Sequence, residues 1–150
     1  MTVGLLLGAM ALVAVGVSGC EKQEVQPQTT DGDSGGSSES GRGGEILTGT
    51  TGNFDELVLQ SRVPVLVDFG ADWCPPCRQL HPELEQVARA YPATTLKVVQ
   101  VDVDRNRALA QRYRISSIPA LFVIKNGQTV DEAVGYRSAA DLKRMVGRHL

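Results

Sequence analysis

Cys74 and Cys77, two residues apart in the run Trp73-Cys74-Pro75-Pro76-Cys77, are the side chains here whose types and spacing most clearly could do chemistry. They fall between an apolar run ending at Phe69 and a stretch with helical periodicity, which puts the first sulfur at a helix N-terminus. Two cysteines so spaced can close a small disulfide. In the dithiol, the unpaired N–H groups and the dipole of the helix start favour a thiolate on the first sulfur. Proline suits such a first turn, because its missing N–H would lack an intrahelical partner anyway. Zinc sites use the same spacing but normally need a second ligand pair, and no other CxxC occurs. His81, four residues after Cys77, reads as a solvated histidine beside Pro82. Arg78 stands where covalent haem attachment would require histidine, which excludes that chemistry.

A carboxylate sits in the apolar run before the cysteines, as Asp68 between Val65-Leu66-Val67 and Phe69. An unbroken apolar run marks a strand covered on both faces, so Asp68 is expected to be buried and its pKa raised.

The elements that must position these groups are read from periodicity. Ile46-Leu47 is a short edge-strand candidate; Asn53 with Glu56 reads as an N-cap and its reciprocal acid, leading a helical face of Phe54, Leu57 and Val58. Val63 to Phe69 is a buried strand. A helix runs from Cys74 to Ala90 with Leu80, Leu84, Val87 and Ala88 inward, and Pro82 is expected to kink it. Leu96 to Val103 is a second buried strand, and a short helix runs through Leu109 and Tyr113. Ala120 to Lys125 and Gln128 to Val134 form a hairpin around Asn126-Gly127, which supply positive φ. Ser138 with Asp141 caps a last helix whose stripe is Leu142, Met145, Val146 and Leu150. The order β-α-β-α-β-α-β-β-α predicts an α/β domain, a mixed central sheet with helices on both faces.

The whole chain has 150 residues, enough for one domain and a tail. Apolar residues make up 42% and the net charge is -2, so nothing global points to nucleic acid or an acidic substrate. The charge is uneven: residues 21–44 hold five acids and two bases, leaving the rest about neutral. That segment is rich in Gly, Ser, Thr and Gln, cannot bury enough surface to order itself, and reads as a tether spanning about 25–30 Å. Ahead of it, Val3 to Val17 is apolar or glycine, suited to a signal-peptide core and short for a membrane-spanning helix. An uncleaved membrane anchor with an incidental cysteine is the plainer alternative. No Lys or Arg precedes the run, so either the start lies upstream or the signal is atypical.

Val17-Ser18-Gly19-Cys20 resembles the bacterial lipobox. The resemblance implies a signal peptide over residues 1–19, lipidation of Cys20, a tether to residue 44 and a domain over residues 45–150. The domain then lies in the cell envelope, facing the periplasm or the exterior, held on the membrane through that lipid.

Val67-Asp68-Phe69, Ala71, Trp73-Cys74-x-Pro76-Cys77, Pro82, Ile118-Pro119 and Asn126-Gly127 resemble the thioredoxin family in order and approximate spacing, over about residues 50 to 150. The resemblance implies the thioredoxin fold and thiol–disulfide exchange with protein substrates. It makes Cys74 the exposed nucleophile, Cys77 the more buried resolving thiol, and Asp68 a proton relay to Cys77. Pro119 would be a cis-proline beside the disulfide. The backbone of Ile118 would bond an extended substrate, with Trp73, Ile118 and the Val134-Gly135 turn as docking surface. Pro75 replaces the family's common glycine and Gln100 its frequent lysine facing the aspartate. The first departure removes an N–H and favours a less stabilised Cys74 thiolate, hence a more reducing pair; the second removes a cation and should raise the Asp68 pKa further.

The direction of exchange stays open between a disulfide reductase, favoured by these thiolate arguments, and an oxidase or isomerase; a non-catalytic chaperone or scaffold is a further alternative. The partners expected are protein thiols and disulfides and a membrane electron donor or acceptor, with no nucleic acid, no cofactor and no metal. The protein is expected to be a monomer.

Overall fold

The computed structural model describes residues 44–150. The expectations for the signal segment, for Cys20 and for the tether up to residue 43 lie outside the described residues. Five strands, β1 (Ile46–Gly49), β2 (Val65–Gly70), β3 (Lys97–Asp102), β4 (Ala120–Lys125) and β5 (Gln128–Val134), form one sheet in the order β1-β3-β2-β4-β5. The pairs β1–β3 and β2–β3 are parallel, and β2–β4 and β4–β5 antiparallel. The helices are α1 (Pro75–Ala90), α2 (Arg107–Arg112) and α3 (Ala139–Gly147). This is the expected mixed sheet, and the expected element order holds.

The central strand β2 is buried along all six residues, as its unbroken apolar run requires. Its side chains alternate between two cores. Leu66 joins Leu80, Leu84 and Val87 of α1 and Leu142 and Val146 of α3 on one face. Val65, Val67 and Phe69 join Phe54, Val58, Leu109 and Phe122 on the other. A period of two sends Asp68 to the same face as Leu66, under α1. Gln100 lies opposite Asp68 in the β2–β3 register and shares its face with Val98. Strand periodicity thus aims a carboxylate at the cysteine helix.

Phe54, Phe69, Tyr113 and Phe122 pack on the opposite face with ring centroids 5.2–6.3 Å apart. Such pairs are worth about 0.5–1.5 kcal/mol each beyond burial. The parallel step from β2 to β3 needs a crossover, which α1 provides. The helix continues through Pro82 to Ala90, with Leu80, Leu84, Val87 and Ala88 inward as expected. Asn126 and Gly127, at φ 51° and 75°, turn β4 into β5.

Three expectations are corrected. Asn53 does not cap a helix: its Oδ1 accepts from the Thr50 N–H at 2.7 Å and its Nδ2 donates to the Thr48 carbonyl at 3.1 Å. Its side chain is spent on the turn leaving β1, and the next element is a five-residue π-helical turn, Asp55–Leu59, with no side-chain cap. Glu56 is accordingly exposed and caps nothing. Leu150 is not on the α3 stripe. That helix ends at Gly147, and Leu150 beyond it is 47% exposed.

Candidate active site

Cys74 is the N-cap of α1, with extended φ −84° and ψ 113°, and Pro75 and Pro76 occupy the first helical positions. The turn is set by the Cys74 N–H donating to the Ala71 carbonyl at 3.1 Å. Cys74 and Cys77 are joined as a disulfide with their Cα atoms 5.3 Å apart. The Cys77 N–H donates to Cys74 Sγ at 3.3 Å. That is a helix N-terminus offering its third amide to the capping atom, here sulfur. In the dithiol the same amide would hold a thiolate.

The expected exposure of Cys74 is not found. Both cysteines are only 3% exposed. Ala71, Val103 and Ile118 pack around the pair, and Cys74 Sγ lies 3.9 Å from the Ile118 carbonyl oxygen. The two sulfurs differ in what they face, not in how deeply they sit. Cys77 also lines an open cavity of about 340 Å³ bounded by Gly70, Arg78, Gln100 and Arg105, among others.

Asp68 is fully buried, as expected. Burial pushes its carboxyl from 3.8 up to about 7, against the opposing pull of a hydrogen bond from Gln100 Nε2 to Oδ2 at 3.2 Å. Among the described residues Oδ1 has no hydrogen-bond partner. Gly70 separates the carboxylate from the cysteines. A methyl group placed on it would lie 3.4 Å from Cys77 Sγ and 3.5 Å from Asp68 Oδ2. Only the bare backbone of a glycine leaves that gap open.

The Ile118–Pro119 bond is cis and Pro119 is buried. Its carbonyl accepts from the Gly135 N–H at 2.8 Å, extending the β4–β5 ladder one step beyond the Ala120–Val134 pair. Gly135 takes φ 86°, a left-handed value that favours glycine. Around this point lie exposed apolar groups: Trp73 at 65%, Val134 at 57% and Tyr136 at 44%. Ile118 is half-buried. Trp73 Nε1 donates to Asp104 Oδ2 at 2.7 Å, which holds the indole over the loop after β3.

Every site residue read from the domain sequence is therefore in one neighbourhood of the sheet's end, whereas Cys20 lies outside the described residues. His81 pairs with Glu85 at 3.5 Å. Among the described residues no three His, Cys, Asp or Glu side chains converge as a metal site. Sequence reasoning missed Gly70, Asp104 and Tyr136. Only Tyr136 carried a signal, as an aromatic residue directly after the loop glycine.

A disulfide at the mouth of a helix, beside a cis-proline on a mixed five-stranded sheet, defines a thiol–disulfide oxidoreductase of the thioredoxin fold. The thioredoxin family model matches residues 45–148, and the chain belongs to that family. It is 43% identical over 101 residues to thioredoxin 1 of Synechococcus elongatus, covering 67% of this chain and 94% of that protein. To thioredoxin 1 of a Nostoc species it is 44% identical over 101 residues, with the same 67% and 94% coverage. With the thioredoxin of Haemophilus influenzae it shares 36% over 106 residues, or 71% of this chain and 98% of that one. Exchange with protein thiols and disulfides is the activity of this family.

Proposed function

We propose that this chain is a disulfide reductase held on the extracytoplasmic side of a bacterial membrane by a lipid on Cys20. The observation that carries the reducing direction is the scarcity of donors at Cys74. Among the described residues one backbone N–H, that of Cys77 at 3.3 Å, reaches its sulfur, because Pro75 and Pro76 have none to give. A weakly held thiolate leaves the disulfide comparatively stable and the dithiol a good electron donor. Asp68, buried and bonded among the described residues by the neutral amide of Gln100, adds to this by opposing negative charge nearby.

In the reaction so read, the Cys74 thiolate attacks one sulfur of a substrate disulfide and the other leaves as a thiolate. Cys77 loses its proton toward Asp68 across the Gly70 gap and attacks the Cys74 sulfur. The second substrate thiolate departs, and the Cys74–Cys77 disulfide remains. A membrane electron donor then returns the dithiol. Because the sulfurs are covered, the substrate must arrive along the Trp73, Ile118 and Gly135 rim as an extended segment, paired with the Ile118 backbone. Pro119 holds that backbone in place.

Redox titration of the chain against glutathione tests the direction. A potential near -270 mV is expected, and one above about -150 mV would place the chain among oxidases. The lipobox-like Val17-Ser18-Gly19-Cys20 and the acidic, polar segment after it support the anchor. Labelled palmitate is expected to enter the wild type and not Cys20→Ser, with the variant released from membranes. Equal labelling of both would sink the anchor.

A further inference from the structure

Glu83 stands outside this chemistry yet joins its two halves. It is half-buried on α1, the helix that begins at the cysteines. Its Oε1 accepts from the Tyr136 hydroxyl at 3.1 Å, and its Oε2 accepts from the N–H of Ala139, the first residue of α3, at 2.7 Å. Both groups belong to the segment leaving β5, whose other end is tied to Pro119 through the Gly135 N–H at 2.8 Å. The remaining side chains of that segment look inward on themselves. Arg137 donates to the Tyr136 carbonyl at 2.9 Å, and the Ser138 hydroxyl donates to Asp141 at 2.7 Å. One carboxylate therefore satisfies two donors at once, a task an ionised acid with two acceptor oxygens suits. It also places negative charge at the positive end of α3.

The consequence falls on the rim. Tyr136 keeps its hydroxyl bonded while the residue stays 44% exposed beside Val134 at 57%. An aromatic ring with its polar tip satisfied is a low-entropy contact for a partner. We propose that Glu83 is a positioning residue for protein substrates, clamping Tyr136 and the start of α3 so that the Val134–Tyr136 rim keeps a fixed register with Cys74 and Ile118. This rests on the docking role given above to Trp73, Ile118 and Gly135. A clamp of this kind lowers the ordering cost of binding and leaves the sulfur chemistry alone, so its loss belongs in KM and not in kcat.

Insulin reduction by the full chain, recycled with dithiothreitol, reads this out. Glu83→Ala is expected to raise KM for insulin about 3- to 10-fold, with kcat and the thiol–disulfide equilibrium against glutathione each within about twofold of wild type. Glu83→Gln, whose amide can still accept from Ala139 and donate to the Tyr136 oxygen, is expected to restore KM to within about twofold. Tyr136→Phe removes one bond at a surface residue and secures the measurement should Glu83→Ala not fold; its KM is expected to rise about 2- to 3-fold. An unchanged KM in Tyr136→Phe, or a fall in kcat at constant KM in folded Glu83→Ala, overturns the proposal. An insulin KM unchanged in Trp73→Ala would instead overturn the docking reading itself, and that variant involves no change at Glu83.

Discussion

Asp68 faces Cys77 across Gly70 with one oxygen unpartnered, and the proton it carries links stability to pH. Unfolded, the carboxyl titrates near 3.8; folded, burial raises it to about 7. Between those values the folded chain keeps a proton that the unfolded chain has lost. Stability therefore falls as pH rises from about 4 to about 7, and it stays low above that range. The gap amounts to about 4 kcal/mol, of which about 2–3 kcal/mol lies between about pH 5 and pH 8. Asp68→Asn lacks this dependence, so in urea unfolding of the oxidised chain its advantage over wild type should grow by that amount across the interval. Parallel pH curves would show that the carboxyl is not desolvated. Gly70→Ala asks the companion question about the gap. Its methyl group would make ordinary contacts at 3.4 and 3.5 Å, so folding stability should change by less than about 1 kcal/mol. Insulin turnover should drop about tenfold or more, since the route between carboxylate and sulfur is filled. Undiminished turnover would mean that the proton leaves Cys77 another way.

At the scale of elements, the start of α1 decides how much charge the first sulfur can hold. A capping atom is reached by the amides of the second and third helical residues, here Pro76 and Cys77, and Pro76 has no N–H. Pro76→Ala restores that donor. One more hydrogen bond to a thiolate is worth about 1 kcal/mol, which corresponds to a rise in potential of roughly 20 mV. The Cys74 pKa, followed by the ultraviolet absorbance of the thiolate, should fall with it. A potential that fails to rise would mean the new amide does not reach the sulfur. The π-helical turn at Asp55–Leu59 makes a contrasting case, because its buried Phe54 and Val58 hold it in place without a cap.

At the scale of the domain, two hydrophobic cores lie on opposite faces of one sheet, and among the described residues their members run from Ile46 to Val146. A fragment of residues 44–150 is therefore expected to unfold in one cooperative step and to reduce insulin within about twofold of the full chain's kcat. A fragment that aggregates, or that unfolds without a sharp transition, would show that the preceding residues help build the domain.

What the sequence determined by itself was whatever short-range period and local chemistry encode. The run Val65 to Phe69 specified a doubly covered strand, Asn126-Gly127 the hairpin turn between β4 and β5, and Cys74-Pro75-Pro76-Cys77 a helix mouth bearing a disulfide. Asp68 was legible because one charge in an apolar strand has no outlet at period two. Tertiary structure alone decided what meets across distant segments. Ala71, Val103 and Ile118 pack around the cysteine pair, so a residue legible as reactive proved nearly sealed. Asn53 chose the turn behind it over the helix ahead, and Glu83 reached Tyr136 and Ala139, more than fifty positions away. Spacing along the chain records which face a side chain takes. It does not record which atoms from elsewhere will lie against that face, and burial, pairing and access are settled there.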